Sequence, residues 1–151
     1  MASSDPSPSP DREYDLVLFG ASSFVGKLTA EYLAGAAPSD LKVALAGRSK
    51  QKLEKVRAGL PAPADQWPIM LADSDDEESI AKMAGSARVV VTTVGPYLKY
   101  GLPLVLACAE AGTDYADLTG EALFVRRSID QAHETASKHG ARVVHSCGFD
   151  S

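Results

Sequence analysis

Apolar positions along this chain follow two alternating patterns. Short apolar stretches predict six β-strands, at residues 16–19, 41–46, 67–72, 87–94, 114–118 and 142–145. Between them, apolar residues recur at helical spacing, as Val25, Leu28 and Tyr32 do after the first strand, and these segments predict five helices. Because strands and helices alternate, we predict an α/β protein with a doubly wound parallel sheet in the strand order 3-2-1-4-5-6.

A turn bounded by two glycines joins the first strand to the first helix. Residues 20–26 resemble a G-x-x-G-x-x-G turn in which Ser23 replaces the middle glycine and offers a hydroxyl to a phosphate oxygen. Gly20 can adopt the tight turn, and Gly26 lets the helix approach the strand closely. An ordinary strand–turn–helix corner would contain the same glycines. Since N–H groups at a helix start bind pyrophosphate, we predict dinucleotide contacts from Gly20, Ser22, Ser23, Phe24, Val25 and Gly26.

The end of the second strand indicates which dinucleotide is bound. A carboxylate at this position would accept hydrogen bonds from the ribose of NAD, but the chain has Arg48 and Ser49 there, followed by Lys52. An arginine fork and a hydroxyl suit a 2′-phosphate, so we predict NADP (NADPH) rather than NAD. The alternative is a solvated basic helix face, which accounts for Lys55 and Arg57.

Two further strand ends are predicted to face the cofactor. Asp73 follows the third strand and is a candidate contact on the adenine side, whereas the other acids of residues 73–78 complement the dipole of the next helix. The β-branched run at 87–94 is typical of a central strand buried on both faces. Its carboxyl end lies at the switch point of the sheet, so we expect cofactor contacts from Thr93, Val94, Gly95 and Pro96.

The catalytic candidates are polar residues at or near strand ends. The first three are Tyr97, Asp117 and Cys147, with Tyr115, Glu121 and Asp150 close to them. Tyr97 could reach the nicotinamide or the substrate, or could pack in the core. Cys147 has no partner base nearby in sequence. None of these residues has a catalytic role that the sequence alone assigns.

Composition limits the other possibilities. A chain of 151 residues with 45% apolar content suits one globular domain, with residues 1–12 as a flexible tail. The net charge of −5 argues against nucleic acid and anionic membranes as partners. No apolar stretch is long enough for a membrane span and no leader is recognisable, so we expect a cytoplasmic protein whose membrane association would come from other residues or partners. Two separated cysteines predict reduced thiols and no metal site.

The motifs together resemble a known family. The chain contains, in order, GASSFVGKLTAEYL, AGRSKQKL, VVVTTVGPYLKYG, DYADLTGE and CGFDS. These segments are similar to the amino-terminal domain of saccharopine dehydrogenase-like oxidoreductases, and within that family to the mycobacterial trans-acting enoyl reductases. The resemblance implies that residues 13–151 form a Rossmann domain that binds a nicotinamide cofactor. It also implies a carboxyl-terminal substrate domain, absent from this chain.

The expected function is that of an NADPH-dependent oxidoreductase, of which this chain is the cofactor-binding half. The resemblance implies an enoyl reductase that acts on a polyketide or fatty-acyl lipid intermediate, either a small molecule or carrier-bound. A short-chain dehydrogenase would need Tyr-x-x-x-Lys, and no tyrosine here has a lysine four residues later. The alternative is a non-catalytic nucleotide-binding or partner-docking module. We also expect the edge left by the absent domain to favour homo-oligomers.

Overall fold

The computed structural model describes residues 11–148. Its strands are β1 Tyr14–Phe19, β2 Val43–Gly47, β3 Ile69–Leu71, β4 Ala87–Thr92, β5 Asp114–Asp117 and β6 Val143–Val144. Its α-helices are α1 Phe24–Ala36, α2 Lys50–Ala58, α3 Glu77–Ser86, α4 Tyr97–Ala111 and α5 Ala122–His139, and a 3₁₀ helix spans Ala64–Gln66. The strands pair in parallel in the order β3-β2-β1-β4-β5-β6, which confirms the predicted fold class and strand order.

Each face of the sheet carries its own hydrophobic core. Alternate residues of β1 point to opposite faces: Val17 belongs to the core that α3, α4 and α5 cover, whereas Leu18 belongs to the core under α1 and α2. Both residues are fully buried. The helices therefore lie on both sides of the sheet, and the carboxyl ends of the strands are left for ligand contacts.

Within residues 11–148, one half of one face of the sheet is less covered than the rest, although Val91 still packs at the edge of the core under α1 and α2. On the side of α1 and α2, Leu18 and Leu45 are fully buried, but Val91 and Ala116 are only half-buried and Val144 is 50% exposed. We name Val89, Val91, Ala116 and Val144 the open half-face. The prediction that β4 is buried on both faces is therefore wrong for this side.

Helix α1 does not bury its larger apolar residues. It buries Gly26 and Ala30 against the sheet, while Val25, Leu28 and Tyr32 are exposed. Small residues permit the close approach of α1 to β1. The right-handed crossover from β1 through α1 to β2, together with helical spacing, places Val25 and Tyr32 on the flank of α1 toward β4. They therefore border the open half-face.

Helix α4 begins at Tyr97, inside the VGPYLKYG segment. Its first N–H groups are satisfied from a distant part of the chain, because the carboxylate of Glu121 accepts hydrogen bonds from Tyr97 and Leu98. Pro103 consequently lies inside the helix. A sequence pattern cannot predict a helix cap supplied from 24 residues away.

The start of β1 is fixed by Arg12, the last residue of the predicted tail. Its guanidinium donates hydrogen bonds to the carbonyl oxygens of Ala84 (3.2 Å), Gly85 (2.7 Å) and Ala111. Arg12 thus connects the carboxyl-terminal parts of α3 and α4. Residues 1–10 of the predicted tail lie outside the described residues.

Candidate functional site

A cleft of about 350 Å³ lies at the carboxyl ends of the central strands. It gathers ten predicted cofactor contacts, Gly20, Ser22, Ser23, Arg48, Ser49, Lys52, Asp73, Thr93, Val94 and Gly95. The other residues that line it are Phe19, Gly47, Ser74, Asp75 and Tyr100. Four predicted contacts, Phe24, Val25, Gly26 and Pro96, are not part of its lining.

The two glycines of the first turn are required by the backbone itself. Gly20 has φ +88°, and a β-carbon there would lie 2.5 Å from Oγ1 of Thr93. A β-carbon on Gly26 would lie 1.9 Å from the carbonyl oxygen of Gly20. The turn can therefore fold close to the strand end only with glycine at both positions.

Ser23 is the N-cap of α1, and its hydroxyl has partners inside the turn. Its Oγ accepts a hydrogen bond from the N–H of Gly26 (3.0 Å) and lies 2.8 Å from the carbonyl oxygen of Gly20 and 3.1 Å from Oγ1 of Thr93. The sequence interpretation assigned this hydroxyl to a phosphate. In the structure it caps the helix start, and its contact with a phosphate stays a prediction. The N–H groups of the first turn, at Phe24 and Val25, have no intrahelical acceptor.

A basic group follows β2 at the edge of the cleft. Ser49 caps α2 by accepting a hydrogen bond from the N–H of Lys52 at 3.3 Å. Arg57 donates to the carbonyl oxygen of Trp67 at 3.1 Å, so its role is structural. Among residues 11–148, the side chains of Arg48 and Lys52 have neither an ion-pair nor a hydrogen-bond partner. These two cations are available to an anion in the cleft.

Acidic residues and a tyrosine form the opposite side of the cleft. Asp76 caps α3 through the N–H groups of Glu78 and Ser79, which agrees with the predicted dipole role of this cluster. Asp73 lines the cleft, and its carboxylate accepts a hydrogen bond from the N–H of Asp75 at 3.0 Å.

Tyr100 reaches the cleft from the first turns of α4, a position that the sequence interpretation missed. The Nζ of Lys99 lies 4.9 Å from the centre of its ring. The residue belongs to the VGPYLKYG segment, and a helix start placed at residue 97 would have brought it to this strand end.

Tyr97, the first catalytic candidate, is a core residue. It is buried, its hydroxyl donates to the carbonyl oxygen of Thr92 at 3.0 Å, and its ring stacks on Phe124 with centroids 5.7 Å apart. Burial raises the pKa of Tyr97 to about 12. The structure therefore places this phenol in the packing position that was the alternative interpretation, outside the lining of the cleft.

Asp117, the second candidate, is the centre of a buried hydrogen-bond network. Its carboxylate accepts from the hydroxyl of Tyr115 (2.7 Å), from the N–H groups of Thr119 and Ser146 (both 3.0 Å), and lies 2.7 Å from Nδ1 of His145. Burial by itself would raise the pKa of Asp117, but these hydrogen bonds, led by that from His145, lower it. The carboxyl group is therefore an ionised structural acceptor.

His145 extends this network to α5. Its Nε2 lies 2.8 Å from Oγ of Ser128, so Ser128, His145 and Asp117 are connected in the order of a catalytic triad. Ser128 is only 2% exposed and lies within α5. Its N–H faces the preceding helical turn and is no oxyanion donor. Ser128 and His145 also line a second cavity of about 300 Å³. The hydrogen-bonded array of Ser128, His145 and Asp117 therefore has a structural role.

Cys147, the third catalytic candidate, does not line the cleft. Cys147 is exposed, and its Sγ donates to the carbonyl oxygen of Val144 at 3.8 Å. Asp150 lies outside the described residues. Within residues 11–148, no group of three or more His, Cys, Asp or Glu residues is arranged to hold a metal ion. None of the helices in that part of the chain is long and apolar enough to cross a membrane.

Comparisons with known proteins agree on the family. The model of the saccharopine dehydrogenase NADP-binding domain matches residues 16–144. A trans-acting enoyl reductase of Mycobacterium leprae is 57% identical over 144 residues, which are 95% of this chain and 34% of that protein. One of Mycobacterium tuberculosis is 56% identical over 141 residues, 93% of this chain and 34% of that protein. The chain thus spans about a third of the length of these relatives.

Solved structures agree on the fold. Apo saccharopine dehydrogenase (L-Glu forming) from Saccharomyces cerevisiae superimposes with a TM-score of 0.70 at 19% identity, over 91% of this chain and 28% of that one. The triphenylmethane reductase of Citrobacter, in complex with NADP(H), gives a TM-score of 0.64 at 15% identity, over 87% of this chain and 48% of that one. At these identities the likeness concerns the fold alone.

Proposed function

This chain belongs to the saccharopine dehydrogenase NADP-binding domain family, and from that premise we propose that it is the NADPH-binding part of an oxidoreductase. The observation that carries the proposal is the pairing of two features in one cleft. Glycines that exclude any β-carbon bring the amino terminus of α1 to the strand ends, and the unpartnered guanidinium of Arg48 lies at the end of the neighbouring strand. A dinucleotide with an additional phosphate fits this combination.

Residues in the cleft and at the adjoining start of α1 would hold the cofactor in three parts. The N–H groups of Phe24 and Val25, at the positive end of the α1 dipole, would bind the pyrophosphate. Arg48 and Lys52 would neutralise the 2′-phosphate, because neither side chain has a partner within the described residues 11–148. Tyr100 offers an aromatic face to the adenine on the side of Asp73 and Asp75.

The chemistry that NADPH supplies when bound is hydride transfer. The part of this chain next to the nicotinamide would be the segment Thr93 to Gly95, whose role is to orient the ring. None of the three catalytic candidates presents a proton donor in the lining of the cleft. We infer that a donor to the substrate comes from residues beyond this chain, in a polypeptide of the length of the relatives.

The substrate class rests on the relatives. Two proteins named trans-acting enoyl reductases are more than half identical to this chain over nearly all of it. We therefore propose an enoyl substrate, an acyl chain of the polyketide or fatty-acyl type that is either free or attached to a carrier. This part of the proposal depends on sequence similarity, whereas the cofactor depends on the cleft.

The half-exposed part of the sheet supports a proposal about the domain organisation. Parallel sheets are normally covered on both faces, and the open half-face leaves apolar strand residues in contact with water. We propose that residues 13–151 form the Rossmann unit and that the additional polypeptide present in the relatives packs an amphipathic helix on the open half-face. A chain that leaves β6 and returns toward β1 by a right-handed connection would lie on this face.

Titration of the chain with NADPH and with NADH tests the cofactor. We expect saturable binding of NADPH, detected by the change in its fluorescence, with NADH much weaker, and no turnover without the rest of the polypeptide. Binding of neither dinucleotide would contradict the proposal. That result would favour the alternative, a partner-docking module that keeps the fold without the cofactor.

A further inference from the structure

Glu121 connects the turn after β5 to the beginning of α4. Its Oε2 accepts a hydrogen bond from the N–H of Tyr97 at 2.7 Å, and its Oε1 accepts one from the N–H of Leu98 at 3.1 Å. Pro96, the N-cap residue of α4, has no side-chain acceptor for these groups. A carboxylate is favoured at this place because helix amino termini attract negative charge.

The carboxylate is held by a rigid support. Oγ1 of Thr119 accepts from the N–H of Glu121 at 3.1 Å, and Oδ1 of Asp117 accepts from the N–H of Thr119 at 3.0 Å. The hydroxyl of Ser146 donates to the carbonyl oxygen of Thr119 at 2.7 Å. The turn that carries Glu121 is thereby hydrogen-bonded to residues at the ends of both β5 and β6.

The segment that Glu121 holds is one wall of the cleft. Val94 and Gly95 line the cleft immediately before the two capped N–H groups, and Tyr100 lines it one turn after them. Glu121 itself is not part of the lining. It would therefore act on a ligand in the cleft only through the position of this wall.

We propose that Glu121 is a positioning residue for the cofactor, which fixes the wall from Val94 to Tyr100 in the geometry that the dinucleotide needs. The inference rests on the proposed function and extends it to a residue outside the cleft. The expected effect is on both dinucleotides equally, because the 2′-phosphate lies at Arg48 and not at this wall. This separates Glu121 from a residue that determines cofactor selectivity.

The test compares three variants with the wild type. Glu121→Ala removes both acceptors, and Glu121→Gln keeps one of them in the same shape. Asp15→Ala is the matched control, because the carboxylate of Asp15 also accepts a backbone N–H, that of Lys42 at 2.9 Å, but at the opposite end of the sheet. For each variant, thermal unfolding, amide hydrogen exchange and the dissociation constants for NADPH and NADH are measured.

We expect amide exchange at Tyr97 and Leu98 to accelerate by about tenfold or more in Glu121→Ala, and binding of both cofactors to weaken on the order of tenfold. The ratio of the two dissociation constants should stay the same. Glu121→Gln should lose less cofactor affinity than Glu121→Ala. Asp15→Ala should bind both cofactors as the wild type does, even if it unfolds at a lower temperature.

Two results would overturn the inference while leaving the proposed function intact. The first is that the wild type binds NADPH and Glu121→Ala binds it equally well. The second is that Glu121→Ala does not change amide exchange at Tyr97 and Leu98. Wild-type protein that binds neither cofactor would instead overturn the proposed function, and the inference with it. Equal losses of cofactor affinity in Asp15→Ala and Glu121→Ala would also contradict the inference, since the loss would then reflect only a less stable fold.

Discussion

The carbonyl oxygen of Gly20 lies 1.9 Å from the point that a β-carbon on Gly26 would occupy. No side-chain rotation can relieve such a contact, since the carbonyl oxygen belongs to the backbone and the backbone also fixes the position of a β-carbon. The pair therefore determines how closely α1 approaches β1, and with it the position of the first-turn N–H groups of the helix. Stability and the proposed phosphate site depend on the same two residues.

Gly26→Ala should destabilise the protein by about 3 kcal/mol or more, because the helix must move away from the strand to admit the methyl group. Urea unfolding measures this loss. Gly35→Ala is the matched control within α1, since a β-carbon there meets nothing within 4 Å. It should stabilise the protein by about 0.5–1 kcal/mol. Equal losses in the two variants would contradict the argument from close approach.

Arg48→Ala should weaken NADPH on the order of ten- to a hundredfold and leave NADH almost unchanged, because only the phosphorylated cofactor loses a charge-assisted hydrogen bond. Competitive fluorescence titration gives both constants. The control is Arg57→Ala, which removes a neighbouring cation already bonded to the carbonyl oxygen of Trp67. If Arg48→Ala lost as much affinity for NADH as for NADPH, the guanidinium would not be a partner of the 2′-phosphate.

The stability of the fold should depend on the ionised carboxylate of Asp117. Its pKa is lowered in the folded protein by hydrogen bonds, of which that from His145 is the largest contribution, against the opposite effect of burial. A carboxyl group with a depressed folded pKa stabilises the fold above its unfolded pKa of roughly 4, and this contribution is lost as the pH falls through the folded value.

Asp117→Asn should therefore cost about 2–4 kcal/mol near pH 7, because the amide cannot accept all the hydrogen bonds of the carboxylate. Its stability should also fall less than that of the wild type when the pH is lowered below about 4. Urea unfolding across this range measures both effects. Asp130→Asn, which breaks an exposed pair with Arg126, is the control and should change little. A parallel pH dependence of wild type and Asp117→Asn would contradict the prediction.

The sequence predicts the parts of this structure that depend on neighbouring residues. The glycine turn and the cationic end of β2 follow from short local patterns, and the strand order follows from the alternation of strands and helices. Contacts between distant segments were missed, because no local pattern records them. The cap that Glu121 gives to α4 spans 24 residues, and the bond between His145 and Asp117 spans 28. For this reason the sequence offers Tyr97 as a catalytic candidate although it is buried, and gives no sign that Tyr100 lines the cleft.

The open half-face should make the isolated chain self-associate. Val144 is 50% exposed and lies beside Ala116, which in turn lies beside Val91, and both of these neighbours are only half-buried. Contiguous apolar surface of this kind favours association. Sedimentation velocity over a range of concentrations should show oligomers for the wild type, and Val144→Lys should shift the distribution toward monomer without loss of stability.

Leu123→Lys provides the control, since Leu123 is similarly exposed but lies at the start of α5, among the helices that cover the other face. It should leave the distribution unchanged. A polypeptide of the length of the relatives should be insensitive to concentration, because the additional helix would cover the open half-face. For the same reason, Val144→Lys should destabilise that longer polypeptide although it does not destabilise the isolated chain. A monomeric wild-type chain at high concentration would show that the half-exposed strands do not drive association.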